Sequence, residues 1–137
     1  MSDGCVICGR DNPHGLQMSF RATAEGALST VTIPGRFQGF DGVAHGGTVA
    51  AILDDAMWWA VFHTRGATTM TAEMKVRYHN PVPTESPLVV EASLVSHRGR
   101  LHRVRAVIAF EDAEDDGVLA EAEGTYLSPA HTREDKD

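Results

Sequence analysis

The most apolar stretch of the chain runs from residue 47 to about residue 63, and hydrophobic residues cover nearly every side of it apart from Asp54 and Asp55. A helix that is apolar all round is a buried helix. Arg65-Gly66 follows the stretch and ends it, since glycine readily adopts the left-handed conformation that closes helices. The pattern therefore predicts one long buried helix that carries two adjacent carboxylates.

Alternating hydrophobic and polar residues on both sides of this helix predict about six β-strands. Residues 16–33 alternate well enough for a hairpin of two strands, with Ala24-Glu25-Gly26 as the turn. Residues 34–42 are rich in proline and glycine and predict a loop. Four further strands are predicted near residues 69–79, 88–96, 101–110 and 118–127, with turn formers or charged residues between them.

One buried helix and about six strands predict an α+β fold in which an antiparallel sheet wraps the helix, with residues 1–137 forming one domain. Residues 1–15 are a turn-rich lead-in, and we expect the polar tail at residues 131–137 to be frayed. A sheet curled round a single helix keeps two open edges and one imperfectly covered face. We therefore expect a homodimer.

Charge and composition exclude several classes of function. The chain has 137 residues and a formal net charge of −7, whereas a nucleic-acid surface needs a basic face that displaces counterions from phosphates. No segment approaches the roughly 20 apolar residues of a membrane span. The start, Met1-Ser2-Asp3-Gly4, does not resemble a secretory signal. We expect a cytoplasmic protein with no nucleic-acid partner and no membrane partner.

Two cysteines lie in the lead-in, in the sequence Cys5-Val6-Ile7-Cys8-Gly9. In a chain without a signal, cysteines are thiols or metal ligands more often than a disulfide. Their spacing is that of a zinc knuckle, but a closed site needs four ligands and only Asp11 or His14 lies nearby. The alternative is that they pack as small hydrophobic residues. Our prediction assigns no metal ligand and no cofactor, and leaves open whether Cys5 and Cys8 bind a metal.

His45-Gly46-Gly47 joins the loop to the first turn of the predicted helix. The free N–H groups of a helix start, with the positive end of its dipole, can bind a carbonyl oxygen that is gaining negative charge. Glycine also lets a ligand approach the backbone closely. Two alternatives stay open: the glycines can serve only tight packing of the helix start, and His45 can be a structural histidine that bonds the loop.

Asp54 and Asp55 lie about two turns into a helix that is otherwise apolar. Burying a carboxylate costs free energy unless it is paired or hydrogen-bonded, so we expect at least one of the two to be functional. The alternative is that both line a crevice and remain hydrated.

His45-Gly46-Gly47, the mostly apolar run after it and Asp54 resemble the signature of hotdog-fold thioesterases of the phenylacetate-degradation type. The opening Cys5-x-x-Cys8-Gly9-x-x-Asn12-Pro13-x-Gly15-Leu16 and the later Arg77-Tyr78-His79-Asn80-Pro81-Val82-Pro83 are also similar to members of that superfamily. The resemblance covers residues 5–83. It implies a hotdog fold and a homodimer, or dimer of dimers, that hydrolyses acyl-CoA or less often acyl-carrier-protein thioesters without a metal.

The resemblance assigns roles to individual residues. The Gly46 N–H would polarise the thioester carbonyl, Asp54 would be the catalytic carboxylate, and Asp55 would be its uninvolved neighbour. Thr71 falls near the place where such enzymes often keep a hydroxyl that orients water. The predicted catalytic residues are Asp54, Gly46, His45, Gly47 and Thr71.

Two positions depart from the family pattern. Trp58 stands one helical turn beyond Asp54, where many relatives carry a smaller residue, and we expect its indole to narrow the acyl pocket. Gly39 stands where some relatives place an amide side chain. Analogy therefore does not identify the acyl group.

The nucleotide end of coenzyme A carries phosphates, which favour a local concentration of positive charge. Basic residues cluster at two places. The turn between the strands at 88–96 and 101–110 holds Arg98, Arg100, Arg103, His97 and His102, and the strand at 69–79 ends with Arg77 and His79. For any one of them, a solvated turn is the alternative. The predicted substrate-binding residues are Trp58, Phe40, Arg77, His79, Arg98 and Arg100.

Helix geometry predicts that one chain does not complete the site. Asp54 is seven residues past Gly47, which at 1.5 Å per residue is about 10 Å along the axis, too far from a carbonyl held roughly 3 Å from the helix start. A two-fold dimer can place Asp54 of one chain opposite the helix start of the other. Asp54 then either attacks the thioester carbonyl or takes a proton from an attacking water.

Two competing hypotheses share the predicted fold. One is a non-catalytic protein that binds acyl thioesters, and the other is an acyl-CoA hydratase. The hydratase is weakened because hydration of a double bond needs a paired acid and base, whereas the sequence offers one buried carboxylate at the site.

Overall fold

The computed structural model describes residues 1–112 and 117–130 of the chain. The predicted frayed tail at residues 131–137, and part of the acidic run before the last strand, lie outside these residues. The elements in chain order are β1 (Arg21–Ala22), β2 (Gly26–Thr32), a 3-10 turn (Gly35–Phe37), α1 (Gly46–Arg65), β3 (Met70–Tyr78), β4 (Pro87–Arg98), β5 (Leu101–Phe110) and β6 (Val118–Leu127).

The strands form one sheet in the order β1-β2-β4-β5-β6-β3, and every neighbouring pair is antiparallel. The sheet packs against α1, which contacts all six strands. One helix wrapped by an antiparallel sheet is the hotdog arrangement, so the predicted α+β class and the predicted antiparallel sheet of about six strands round one helix are confirmed. No helix of the described residues is long and apolar enough to cross a membrane.

The core lies between α1 and the concave face of the sheet. The helix contributes side chains with no exposed surface from successive turns, including Ile52, Leu53 and Met57. Inward-facing residues of the strands complete the core, among them Val90, Ile108 and Tyr126. Because other parts of the protein cover the helix on several sides, hydrophobic residues occur on nearly every side of it.

α1 begins one residue before the predicted start and ends two residues after the predicted end. His45 is its N-cap, and Gly66 closes it in the left-handed conformation with φ 67°. The Gly66 N–H donates to the Phe62 carbonyl at 2.8 Å. The predicted glycine stop is therefore confirmed.

The predicted hairpin at residues 16–33 is only partly correct, because its first strand shrinks to the two residues of β1. The segment before β1 pairs with the lead-in instead: the N–H groups of Leu16 and Met18 donate to the carbonyls of Val6 and Ile7 at 3.0 and 2.9 Å. Gln17 between them has φ 52°, a left-handed conformation that interrupts a strand. Alternation alone does not reveal that a neighbouring loop takes these hydrogen bonds.

β3 forms one edge of the sheet and pairs only with β6 among the described strands. A bulge between Thr71 and Glu73 shifts the register of this pair. Beyond the bulge, Met74 and Val76 pack against the core. Since side chains alternate along a strand, Glu73, Lys75 and Arg77 point to the opposite, outer face.

Candidate active site

The start of α1 leaves one backbone donor without a partner. An α-helix leaves its first four N–H groups unpaired within the helix. The Gly47 N–H donates to Nδ1 of His45 at 2.9 Å, while the N–H groups of Thr48 and Val49 donate to the His45 carbonyl at 2.9 and 3.1 Å. Within the described part of the chain, only the Gly46 N–H of this turn has no acceptor, and Gly46 is exposed.

His45 therefore has a structural role as the cap of α1. To accept from Gly47, its Nδ1 must lack a proton. The loop around His45 is held by backbone hydrogen bonds from His45 to the Phe37 carbonyl and from Ala44 to the Val82 carbonyl, at 2.9 and 2.8 Å. Gly47, predicted as catalytic, has its N–H taken by this cap, so Gly46 is the donor available to a ligand.

Gly39 lies against the cap residue, and the amide side chain next to it, that of Gln38, accepts from the Gly42 N–H at 3.2 Å. A Cβ at Gly39 would lie 3.4 Å from the Cα of His45 and 3.6 Å from its imidazole. The backbone of residue 39 thus lies directly against the cap residue.

Tyr78, at the far end of β3, connects the start of α1 to the sheet through a hydrogen bond. Its hydroxyl donates to the Gly46 carbonyl at 2.6 Å. Burial raises the pKa of the Tyr78 hydroxyl, which therefore remains a donor at neutral pH. Tyr78 belongs to the family motif at residues 77–83, but no role is predicted for it from the sequence.

Asp54 lies at the other end of β3, half-buried, and accepts two short hydrogen bonds on one oxygen. The hydroxyls of Thr71 and Tyr126 each donate to Oδ1 at 2.7 Å. The Tyr126 hydroxyl also lies 3.2 Å from the Asp54 carbonyl oxygen. Among the described residues, Oδ2 of Asp54 has no such partner. The carboxylate is therefore fixed in orientation and presents one free oxygen.

The register of the sheet places both hydroxyls beside Asp54. Thr71 on β3 is the direct cross-strand partner of Tyr126 on β6, just before the bulge. Residues directly opposite in an antiparallel pair project to the same face, with Cβ atoms about 5 Å apart. The structure thus brings together Thr71 and Asp54, both of which are predicted to be catalytic.

Tyr126 is a site residue that sequence analysis missed. It has no exposed surface, and a Cβ at Gly124 would lie 2.6 Å from its ring, so the glycine leaves room for the tyrosine. Burial first, and then its bond to Asp54, raise the pKa of Tyr126 above its usual range, so its hydroxyl stays protonated. The one available signal was a polar ring at an inward-facing position of the last strand.

The expectation that Asp54 is the one buried carboxylate is wrong, because Asp55 is buried. Asp55 is 7% exposed and is the more deeply buried of the two. Successive residues of a helix point about 100° apart, and Asp55 faces the lead-in, where its Oδ1 lies 3.6 Å from the Cys5 thiol. Burial raises the pKa of Asp55. The neighbouring carboxylates thus belong to two different surroundings.

Trp58 is buried in the core of the chain. Its Nε1 donates to the Thr69 carbonyl at 2.9 Å, and its ring stacks on Phe62 with centroids 5.5 Å apart. Its position one turn beyond Asp54 places it on the same side of α1. The indole is thus fixed between α1 and the start of β3.

The predicted phosphate-binding residues do not gather round Asp54 within one chain. Arg77 lies on the outer face of β3, and Nε2 of the neighbouring His79 is 3.6 Å from Glu121. Arg98 and Arg100 are exposed at the β4–β5 turn, where Arg100 donates to the Ser128 carbonyl at 2.9 Å. The register puts this turn at the end of the sheet where β3 begins, and His79 at the opposite end.

Phe40, also predicted to bind substrate, is 85% exposed in the loop before α1. Its carbonyl accepts from the Val43 N–H at 3.0 Å, so the loop is a closed turn. A phenyl ring this exposed contributes nothing to the core of its own chain, which leaves it available to a ligand or a second subunit.

Comparison with known proteins places the chain in a family. The model of the thioesterase superfamily matches residues 41–112, more than half of the chain. No curated protein matches the chain significantly. A solved structure of a thioesterase superfamily protein aligns with 92% of this chain at 27% identity and a TM-score of 0.82. The chain spans 61% of the length of that protein.

Two more solved structures share the fold. A putative thioesterase from Ralstonia eutropha JMP134, a phenylacetic acid degradation-related protein, is 23% identical with a TM-score of 0.69, over 82% of this chain and 85% of that one. Zebrafish thioesterase superfamily member 2 is 18% identical with a TM-score of 0.73, over 87% and 89%. Together with the match over residues 41–112, which contains Gly46, Asp54 and Thr71, the fold confirms the resemblance: this chain belongs to the thioesterase superfamily.

Proposed function

We propose that the protein hydrolyses acyl-CoA thioesters to a free acid and coenzyme A. Membership of the thioesterase superfamily supports thioester hydrolysis in general. The observation that carries the proposal is the state of Asp54: two hydroxyls occupy its Oδ1, and its Oδ2 is free to meet a water or a carbonyl carbon. The unpaired Gly46 N–H supplies the second element, a donor for the carbonyl oxygen.

The two groups act in one site only if two chains contribute. Gly46 and Asp54 are eight residues apart on α1, about 12 Å along the axis, whereas a bound carbonyl carbon must lie within about 3–3.5 Å of its attacking atom. A homodimer in which two α1 helices run antiparallel would set Asp54 opposite Gly46 of the partner subunit. The exposed β3 edge, with Met70 and Phe62 uncovered near it, supports such a pairing.

Antiparallel pairing of the two α1 helices would also bring basic residues from both subunits to each site. Within one chain, the Arg98–Arg100 turn is at the Asp54 end of the sheet and His79 is at the Gly46 end. A two-fold axis between the helices exchanges these ends, so each site would receive basic residues from both subunits. Arg77, His79, Arg98 and Arg100 are thus candidates for contacts with the phosphates of coenzyme A, and Phe40 and Trp58 for contacts with the acyl or pantetheine part.

In the proposed reaction, the thioester carbonyl oxygen accepts the Gly46 N–H and gains negative charge as the carbonyl carbon is attacked. In one route, Asp54 removes a proton from water, and the hydroxide adds to the carbon. In the other, Asp54 adds directly and forms a mixed anhydride that water then hydrolyses. Either way the C–S bond breaks and coenzyme A leaves as a thiolate, which needs no strong general acid. In the first route, Asp54 then gives the proton it took from water to the thiolate or to solvent.

The surroundings of Asp55 argue against the alternative hypothesis that the protein is an acyl-CoA hydratase. Hydration of an enoyl thioester needs a base for water and an acid for the α-carbon. Asp55 does not supply the second group, because it is turned toward Cys5 and away from Thr71 and Tyr126. A single free carboxylate oxygen favours hydrolysis. The cytoplasmic location, the choice between coenzyme A and acyl-carrier protein, and the dimer or dimer of dimers stay predictions.

The test is a panel of acyl-CoA substrates of graded chain length, with thiol release followed by a trapping dye. The chain has two free cysteines, so each reading needs an enzyme-only blank and a second readout, the loss of thioester absorbance. Asp54→Asn is the matched control. Hydrolysis by the wild type that the control lacks supports the proposal; binding without release at any chain length would indicate a binding protein, and loss of enoyl absorbance without thiol release a hydratase.

A further inference from the structure

Three side chains with metal-ligand chemistry meet where the lead-in packs against α1. The thiols of Cys5 and Cys8 and the carboxylate of Asp55 place their ligand atoms within 4.8 Å of one another. No other group of three or more His, Cys, Asp or Glu ligand atoms in residues 1–112 and 117–130 lies as close. This cluster takes no part in the proposed hydrolysis.

The backbone around the two cysteines has the form of a metal-binding knuckle. The Ile7 N–H points at Sγ of Cys5 at 3.4 Å, and the Gly9 N–H donates to the Cys5 carbonyl at 2.9 Å. A side chain at Gly9 would clash with the backbone of Asp3 and of Cys5. An N–H directed at sulfur stabilises a thiolate, the form in which cysteine binds a metal.

The buried carboxylate of Asp55 is an independent indication that the cluster binds a cation. It is 7% exposed, and its Oδ2 is buried without a hydrogen bond among the described residues. A buried carboxylate oxygen without a partner is costly, and a cation beside it would remove that cost.

The spacing suits a tetrahedral ion. With Zn–S near 2.3 Å and Zn–O near 2.1 Å, tetrahedral angles put a sulfur and an oxygen ligand about 3.6 Å apart. Oδ1 of Asp55 is 3.6 Å from Sγ of Cys5. A thiol that donates a hydrogen bond to a carboxylate gives a similar distance, and metal binding in solution distinguishes the two arrangements.

A cavity of about 300 Å³ meets the cluster at Cys8, and Trp59, Ser2, Arg10 and Ser19 also line it. It offers room for a water as fourth ligand. Two thiolates and a carboxylate are ligands that zinc accepts.

We propose that Cys5, Cys8 and Asp55 bind one Zn²⁺ per chain, with the fourth position open to the cavity. Binding would release the protons of the two thiols and tie the lead-in to α1 at the residue next to Asp54. The two candidates near the cysteines in sequence, Asp11 and His14, are both exposed, and neither belongs to the cluster. The third ligand instead comes from the helix, 50 positions from Cys5 along the chain.

The test uses the full-length protein, reduced, stripped with a chelator and titrated with Co²⁺ as a spectroscopic probe. We expect one Co²⁺ per chain with the near-ultraviolet charge-transfer absorption of cobalt–thiolate bonds, and its loss on addition of Zn²⁺. Zn²⁺ at about one hundred times its Kd should raise the Tm by roughly 10 °C and protect both thiols from alkylation. Absence of thiolate-to-cobalt absorption in the folded wild type would overturn the proposal.

Variants separate metal binding from a thiol–carboxylate hydrogen bond. Cys8→Ser and Asp55→Asn should each weaken Co²⁺ binding at least tenfold, while His14→Ala, in the same lead-in, should bind as the wild type does. Unchanged affinity in folded Asp55→Asn, or an equal loss in His14→Ala, would refute the assigned ligands. None of these readouts uses hydrolysis, so the outcome is independent of the proposed function.

Discussion

Tyr126 donates its hydroxyl hydrogen to Oδ1 of Asp54 at 2.7 Å, although 72 positions separate the two residues along the chain. The tyrosine has no exposed surface, so the bond is made inside the protein. Thr71 donates to the same oxygen from the neighbouring strand. Two fixed donors on one oxygen set the direction of the other, and the proposed chemistry depends on that direction.

Tyr126→Phe should therefore lower kcat by roughly ten- to one-hundredfold with little change in KM, since a hydrogen bond to a charged group contributes about 1.5–3 kcal/mol and Thr71 remains in place. Because burial raises the pKa of Tyr126, the hydroxyl does not ionise in the working range. The loss should thus be the same from about pH 6 to pH 9. Steady-state kinetics across that range measure it.

The control for Tyr126→Phe is the other donor. Thr71→Ser keeps a hydroxyl and should retain most activity, whereas Thr71→Val should lose as much as Tyr126→Phe. A Tyr126→Phe enzyme that is folded and fully active would show that the tyrosine supports only the core.

Asp54→Asn should lower kcat by at least about 100-fold, because both proposed routes need an ionised carboxylate. Asp55→Asn should change kcat little, since Asp55 faces Cys5 and not the free oxygen of Asp54. The measurement is kcat for both variants, after circular dichroism confirms folding. Equal losses at the two positions would contradict the assignment of Asp54.

Gly46→Pro should abolish most activity while preserving the fold. A Cβ at Gly46 would meet Tyr78 at 3.6 Å, an ordinary contact, and His45 already has the extended ψ of 136° that a following proline requires. Proline is also favoured at the first position of a helix. It removes only the N–H, and Gly46→Ala, which keeps the N–H, is the matched control. Activity in the proline variant equal to that of the alanine variant would exclude the N–H as the carbonyl donor.

A mixed dimer of Gly46→Pro and Asp54→Asn should regain up to about half of the wild-type activity, although each parent is inactive. One of its two sites combines a normal Gly46 with a normal Asp54 from different subunits, while the other carries both lesions. Co-expression with two different tags and purification through both isolate this species. A folded mixed dimer as inactive as its parents would place both groups in one chain.

Trp58 is predicted to limit the acyl pocket, and its substitution should shift the preferred acyl group to a longer or bulkier one. Truncation to alanine would cost about 3–5 kcal/mol of stability in a buried position. Trp58→Phe is the gentler variant, since it removes the bond to the Thr69 carbonyl but keeps the stacking on Phe62. Chain-length profiles of both variants measure the shift. Unchanged profiles in folded variants would assign Trp58 to the core alone.

Local patterns in the sequence determined much of this protein. Because a helix covered on several sides must be apolar all round, α1 could be predicted to within two residues, as could its glycine stop. His45-Gly46-Gly47 and Asp54 identified the family, since a free helix N-terminus and a carboxylate at this spacing are local features. The strands after the helix followed from alternation and turn formers.

Other features of the site depend on the tertiary structure and cannot be predicted from local sequence patterns. His45 takes the Gly47 N–H and leaves the Gly46 N–H free, which depends on a side-chain orientation that the loop fixes. Tyr126 reaches Asp54 because β6 lies between β5 and β3, and pairing between distant strands sets that contact. Asp54 and Asp55 are chemically identical and adjacent in sequence. Their roles diverge because the helix turns them about 100° apart, one toward the hydroxyls of the sheet and the other toward the cysteines of the lead-in.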